Sequence, residues 1–209
     1  MEPVTAGNEV IEDAIAALRS GLPVVLPTDT VYGLAANPYT EESVRRAYRL
    51  KGRDDRQPSA LVASDVDMLL ECLPELRGRV GLILRALLPG PLTLVVPNPA
   101  RRFRWLTGSR ADTIGVRVPR LPEPAAEAVS RAGAVMATSA NLPGGPDPAR
   151  LEDVPAQILE GCAVAVDGGD LPGVPSTVID LTGESPKVLR EGAVPADEAL
   201  GHIAGLIAE

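Results

Sequence analysis

The sequence predicts a layered α/β domain in which helices cover a sheet, and three observations carry that prediction. Apolar runs of strand length alternate with longer stretches whose apolar residues recur at helical spacing. Apolar residues make up 45% of the chain but aromatics only 2%, so Val, Leu, Ile and Ala must fill the core. The 20 glycines and 21 prolines fall at the ends of these runs rather than in one low-complexity block. At 209 residues, with no repeat and no linker in view, the expectation is one domain over 1–209. The strand order is not readable from the pattern.

Taken in order, Asn8 suits the cap of a helix running to about Ser20, with Val10, Ile11, Ala14, Ile15 and Leu18 on one face and Gly21 as its stop. Val24-Val25-Leu26, between Pro23 and Pro27, reads as a strand. It opens onto Pro27-Thr28-Asp29-Thr30-Val31-Tyr32-Gly33, a polar turn whose side chains can cap backbone amides or reach a ligand. The chain is then expected to turn helical. Thr40 is expected to cap a helix with Glu41 and Glu42 at its positive end and Val44, Ala47 and Tyr48 on its buried stripe. Lys51-Gly52-Arg53 closes it.

Beyond that helix, Ser59–Ala63 reads as a strand, Ser64 with Asp67 as the capping box of a short helix, and Glu75–Leu88 as a longer helix broken by Pro89-Gly90-Pro91. Leu92–Val96 reads as a buried strand. The arginine-rich segment from Pro99 to Arg110 reads as a mobile flap, although a solvated loop anchored by Phe103 and Trp105 is the more frequent outcome for such a stretch. A strand over Thr113–Val118 carries Arg117, and a helix over Pro122–Ala132 and a strand over Ala134–Ala137 follow. That strand runs into Thr138-Ser139-Ala140-Asn141, and Pro143–Pro148 is a loop. Strands over Ala163–Val166, Thr177–Leu181 and Lys187–Leu189 and a helix over Pro195–Glu209 complete the chain.

The formal charge of -8 opposes sequence-independent attraction to nucleic acid, yet leaves room for a local basic pocket built from Arg53, Arg117 and Arg190. Small anionic ligands fit that balance. Cys72 and Cys162 form no CxxC pattern and read as small buried hydrophobes. Residues 1–7 lack a signal-peptide pattern and no run approaches a membrane span, so a cytoplasmic protein is expected. His202, the single histidine, sits among Ile203, Leu206 and Ile207 in an apolar-patterned helix. Histidine triads and multi-histidine metal sites are therefore disfavoured.

Only Lys51 and Lys187 are lysines among 20 basic residues, so arginine is the habitual cation. Lys51 beside Arg53 suits a phosphate site combining a point charge with a planar fork, and equally a helix C-terminus whose cations answer the dipole. PTDTVYG, KGR, PGPLTLVVP (Pro89–Pro97), TIGVRVP (Thr113–Pro119), SAN (Ser139–Asn141), STV (Ser176–Val178) and LREG (Leu189–Gly192) occur in one order. In that order and spacing the chain resembles the YrdC-like family of threonylcarbamoyl-adenylate synthases, from about Gly21 to Gly192.

The resemblance implies a three-layer fold with a twisted, mixed sheet of about seven strands, helices on both faces and an open cleft. It also implies a reaction: L-threonine, bicarbonate and ATP give threonylcarbamoyl-adenylate and pyrophosphate, for modification of the tRNA adenosine next to the anticodon. Carried over, Thr30, Arg117, Ala137 and Ser176 bind threonine, with Arg117 clamping the carboxylate in its fork. Lys51, Arg53, Gln57, Thr113, Ser139, Asn141 and Arg190 bind ATP, and Lys51 with Arg53 forms the catalytic pair. Mg²⁺ is expected to travel with the triphosphate. No metal ligands are legible, and Asp29 suits a metal or a helix cap alike.

The expected partners are the three substrates and the proteins that transfer the threonylcarbamoyl group to tRNA, with at most transient contact to tRNA and none to a membrane. Two departures stand out. Relatives commonly carry Pro-Leu-Ile-Val-His where this chain has Pro58-Ser59-Ala60-Leu61-Val62, and Leu142-Pro143-Gly144-Gly145-Pro146 differs after SAN. A competing reading is an RNA-binding module of the same fold without ATP turnover, using Arg101, Arg102, Arg104 and Arg110. The related hydrogenase-maturation chemistry lacks its zinc-finger and acylphosphatase segments here, and a sugar-phosphate synthase lacks its acidic metal motifs.

Overall fold

The structure, a computed structural model, describes residues 6–208. Its first half comprises α1 (Ala6–Arg19), β1 (Val24–Leu26), β2 (Gly33–Ala36), α2 (Glu41–Lys51), β3 (Ala60–Val62), α3 (Val66–Cys72), α4 (Arg79–Leu87) and β4 (Leu92–Pro97). Its second half comprises β5 (Thr113–Arg117), α5 (Glu123–Ala132), β6 (Val135–Ser139), α6 (Ala156–Gly161), β7 (Val164–Ala165), β8 (Thr177–Asp180), β9 (Lys187–Arg190) and α7 (Ala196–Ala208). The strands form one 9-stranded sheet in the order β7-β1-β2-β6-β3-β5-β4-β8-β9. It is mixed: β1/β7, β3/β5 and β4/β8 run parallel, and the other neighbours run antiparallel.

Side-chain alternation along each strand separates the two faces. On one face Val25, Leu34, Leu61, Leu94, Val96, Ile114, Val116, Met136 and Ile179 join a single core with Val44, Ala47 and Tyr48 of α2, Leu69 and Leu70 of α3, Leu84 of α4, Ile158 of α6 and Ile203 of α7. Their neighbours Val24, Leu26, Ala35, Val62 and Val135 pack on the other face against Ile11, Ala14, Ile15 and Leu18 of α1 and Ala125, Ala128 and Val129 of α5. Each fully buried Leu, Ile or Val contributes about 1.5–3 kcal/mol. On their face these two helices cover β7, β1 and β2 and only the Val135 end of β6 and the Val62 end of β3. The rest of that face, out to β8, is left open, and that opening is the cleft.

The sheet thus has more strands than expected. The segment after Gly33, read as helical, is β2: Gly-Leu-Ala-Ala has little strand propensity, but β1 and β6 flank it and both its faces are buried. Asn8 lies inside α1 rather than at its cap. Thr40 makes no side-chain cap bond, and Asp65, not a Ser64–Asp67 box, caps α3 by accepting from Met68 N at 2.8 Å. α4 starts at Arg79 rather than Glu75 because a 3₁₀ turn at Pro74–Leu76 and Gly78, at φ 108, interrupt it. α6, only six residues long, is too short to announce itself by periodicity.

The 99–110 segment, read as a flap, is tied down at several points. Asn98 accepts from Arg102 N and donates to the Arg102 and Ala111 carbonyls, Trp105 Nε1 donates to Pro38 O at 2.7 Å, and Phe103 meets Tyr39 edge-on at 5.7 Å. Cys72 and Cys162 are half-buried free thiols rather than fully buried ones. His202 is exposed on α7; the side chains of Leu206 and Ile207, like residues 1–5 and Glu209, lie outside the described residues. Among the described residues no helix is long and apolar enough to cross a membrane.

Candidate active site

The open half-face forms a cleft of about 560 Å³. Ala60, Val62, Thr93, Val95, Thr113, Gly115, Arg117, Ala137, Ser139 and Val178 line it, each one step from a residue of the opposite core. One rung across the sheet reads Ala137–Ala60–Gly115–Val95, so small side chains make the middle of the floor flat. Arg117 and Arg190 rise toward one rim, and Arg53, Thr113 and Ser139 toward the other. Arg110 completes the lining cations. No Asp or Glu lines the cleft among the described residues, although the chain carries a formal charge of -8. Such a lining receives anions.

Arg117 is held from behind. Its Nη2 donates to Asp29 Oδ1 at 2.5 Å and to Thr30 Oγ1 at 2.7 Å, while Asp29 Oδ2 accepts from Arg120 N. Arg117 and Asp29 are both nearly buried, at 12% and 11% side-chain exposure. Burial lowers the guanidinium pKa, with Arg190 adding to the shift and Asp29 opposing it. Arg117 Nε is buried with no partner among the described residues. Both protons of Nη2 are already taken, so the fork expected to clamp a carboxylate is closed and Nη1 remains for a ligand. Thr30, expected to touch threonine, is fully buried and bonded to Thr28 Oγ1 and Arg117. Its hydroxyl accepts from Arg117 Nη2 at 2.7 Å.

Lys51, expected to face a triphosphate, also lies behind the wall. It is 4% exposed, and its ammonium donates to Ser139 O, Asn141 O and Asn141 Oδ1 at 2.6–2.7 Å. Burial, with help from Arg53, pushes its pKa down to about 8, and Asp147 opposes the shift. Asn141 is likewise spent: its Oδ1 also accepts from Ser139 Oγ, and its Nδ2 donates to Gly145 O. These two residues fasten the end of β6 to α2 and do not line the cleft.

The remaining sequence candidates do line it: Arg53, Gln57, Thr113, Arg117, Ala137, Ser139, Ser176 and Arg190. Arg53 lies 5.9 Å over the Tyr48 ring and donates to Pro58 O and Thr138 Oγ1. Arg190 donates to the carbonyl and hydroxyl of Ser176. Sequence reasoning missed Thr93, Thr138 and Ser109 as lining residues and placed Arg110 only in an RNA-facing group. The one available signal was parity, because Thr93 shares a face with Val95 on β4. Of that arginine group, Arg102 is paired with Glu75 and Arg110 with Asp180.

A family model described as "Telomere recombination", of the Sua5/YciO/YrdC domain, matches residues 16–192. The chain belongs to the Sua5/YciO/YrdC family. It is 35% identical over 190 residues to a threonylcarbamoyl-AMP synthase of Pyrococcus abyssi, covering 90% of this chain and 55% of that protein. It therefore spans about half the length of that relative. A threonylcarbamoyl-AMP synthase of Halorhodospira halophila is 39% identical over 140 residues, 67% of this chain and 72% of the relative. The crystal structure of P. abyssi Sua5 complexed with L-threonine superposes with a TM-score of 0.84 at 33% identity, over 96% of this chain and 59% of that one. The mixed sheet with helices on both faces is the architecture these family structures share.

Proposed function

We propose that this chain makes threonylcarbamoyl-adenylate from L-threonine, bicarbonate and ATP, and hands it to the proteins that modify the tRNA adenosine next to the anticodon. The observation that carries this reading is the cleft lined by four guanidinium groups and, among the described residues, no carboxylate, within an acidic chain. The threonine ammonium first gives up a proton to solvent, and the neutral amine combines with bicarbonate to a carbamate with loss of water. A carbamate oxygen then attacks the α-phosphorus of ATP, and pyrophosphate leaves. The protein's part is to align three anionic groups and offset their charge, and the attack on phosphorus, by a carbamate that carries no proton on its oxygens, needs no general base.

Arg53 and Arg190 would meet the phosphates from opposite rims, with Gln57 supplying a neutral donor, while the Thr113 and Ser139 hydroxyls, whose protons go to Arg110 O and Asn141 Oδ1, would serve as acceptors. Arg117 Nη1 would meet the threonine carboxylate, with Ala137 and Ser176 beside it. Lys51 would act at one remove, by holding Ser139 and Asn141 in place. Among the described residues no group of three or more His, Cys, Asp or Glu side chains could hold a metal ion. Mg²⁺ arriving on ATP would be held by phosphate and water, and no step here runs through it. The test is pyrophosphate release from the purified chain, required to depend on L-threonine and bicarbonate as well as ATP. A folded chain that binds both ATP and threonine yet releases none would refute the reaction.

A further inference from the structure

Two facing hydroxyls on the cleft floor have a proton to spare. Ser176 Oγ lies 2.8 Å from Thr93 Oγ1 and accepts from Arg190 Nη2 at 3.2 Å. The pair holds two protons and its mutual bond uses one. Arg190 occupies one lone pair of Ser176, so the second proton is free to be donated outward. Ser176 is 3% exposed, whereas Thr93 is half-buried and lines the cleft. The room to turn an O–H toward a ligand is therefore at Thr93. With Ser176 as the donor of the mutual bond, donation runs from the Arg190 guanidinium through Ser176 to Thr93, and a charged first donor strengthens each later bond.

The register says what that hydroxyl would meet. Leu94 of β4 pairs with Val116 of β5, and the same antiparallel register carried one pair further sets Thr93 beside Arg117 on the cleft face. Arg117 cannot grip a carboxylate with two parallel bonds, because Asp29 and Thr30 hold both protons of Nη2. A carboxylate met by Nη1 alone is left with an oxygen in need of a second donor. We infer that the Thr93 hydroxyl is that donor, a substrate-contacting group that bonds the amino acid's carboxylate and is polarised by Arg190 through Ser176. This rests on the proposed reading of the cleft as an amino-acid and nucleotide site.

The experiment compares L-threonine and ATP binding by calorimetry in the full chain and in Thr93→Val and Thr93→Ser, with pyrophosphate release measured alongside. T93V is expected to weaken threonine about 10- to 100-fold, the range of a bond to a charged group, and to leave ATP within a few-fold. T93S, which keeps the hydroxyl, should restore threonine binding to within a few-fold. Unchanged threonine affinity in T93V, or a T93S as weak as T93V, overturns the inference. Should T93V fail to fold, Thr93→Ala empties onto the open cleft rather than into the core and serves in its place. If the unsubstituted chain binds threonine but releases no pyrophosphate, only the reaction falls and the two affinities still decide the role of Thr93. If it binds no threonine at all, the inference falls with it.

Discussion

Replacing Lys51 by methionine separates the two roles open to this residue. The ammonium makes three bonds, to Ser139 O, Asn141 O and Asn141 Oδ1. Bonds from a charged donor contribute about 1.5–3 kcal/mol each, so together they hold roughly 4–9 kcal/mol. Against that stands the cost of burying the charge: a fall in pKa from 10.5 to about 8 corresponds to about 3 kcal/mol, which methionine no longer bears. The difference leaves K51M destabilised by about 3 kcal/mol, a large share of a typical total yet compatible with a folded chain. Chemical denaturation of both proteins measures the loss, and calorimetry measures ATP affinity in what remains folded. If Lys51 works behind the wall, stability falls and ATP binding weakens by about tenfold or less. Unchanged stability with ATP binding abolished would refute this reasoning and put the ammonium on the triphosphate.

The same lysine predicts a pH dependence. Its folded pKa, about 8, lies below its ordinary 10.5, so between those values the unfolded chain binds more protons and this group's contribution to stability rises with pH. The stability gap between the unsubstituted chain and K51M should therefore widen from pH 8 to pH 10, and a constant gap in denaturation curves would contradict it. Asp29→Asn leaves the nearly buried Arg117 without its counter-charge and should lower stability by about 3 kcal/mol, read from the urea midpoint; a loss under about 1 kcal/mol would mean that solvent screens the pair. Gly108→Ala should lower stability by about 2 kcal/mol or more, because Gly108 sits at φ 60 and an added Cβ would overlap the Arg56 carbonyl oxygen. A melting temperature unchanged within a degree would count against that packing.

Much of the fold was legible because its core face is written in strand alternation. Leu61, Leu94, Ile114, Val116, Met136 and Ile179 each mark a strand from the sequence alone. β2 was illegible for a physical reason: buried on both faces and built of small residues, it shows no period, and only its neighbours make it a strand. The cleft was legible in its cations but not in their orientation. Arg53, Arg117 and Arg190 converge as their residue types suggested, while Lys51 and Thr30, equally suggestive, turn away into the wall. Which of two nearby polar groups faces a ligand depends on hydrogen-bond partners distant in sequence, such as Asn141 for Lys51 and Arg117 for Thr30. Residue type and spacing do not carry that information.

Four guanidinium groups sharing one cleft repel one another, and the structure meets this separately for each. Arg117 has the Asp29 carboxylate, Arg110 has Asp180, Arg190 has the Ser176 carbonyl, and Arg53 has the Pro58 carbonyl and the Tyr48 ring. Two of these partners are carboxylates and two are only dipoles, so the rims where Arg53 and Arg190 stand keep an uncompensated positive charge. With a Debye length of about 8 Å at physiological salt, an anion arriving at the mouth of the cleft feels that charge directly. A triphosphate would supply what Arg53 and Arg190 lack, whereas a carboxylate would find Arg117 already neutralised and depend on short-range donors. Nucleotide binding should accordingly weaken with added salt much more steeply than amino-acid binding, and equal salt slopes for the two in calorimetry would contradict this division of charge.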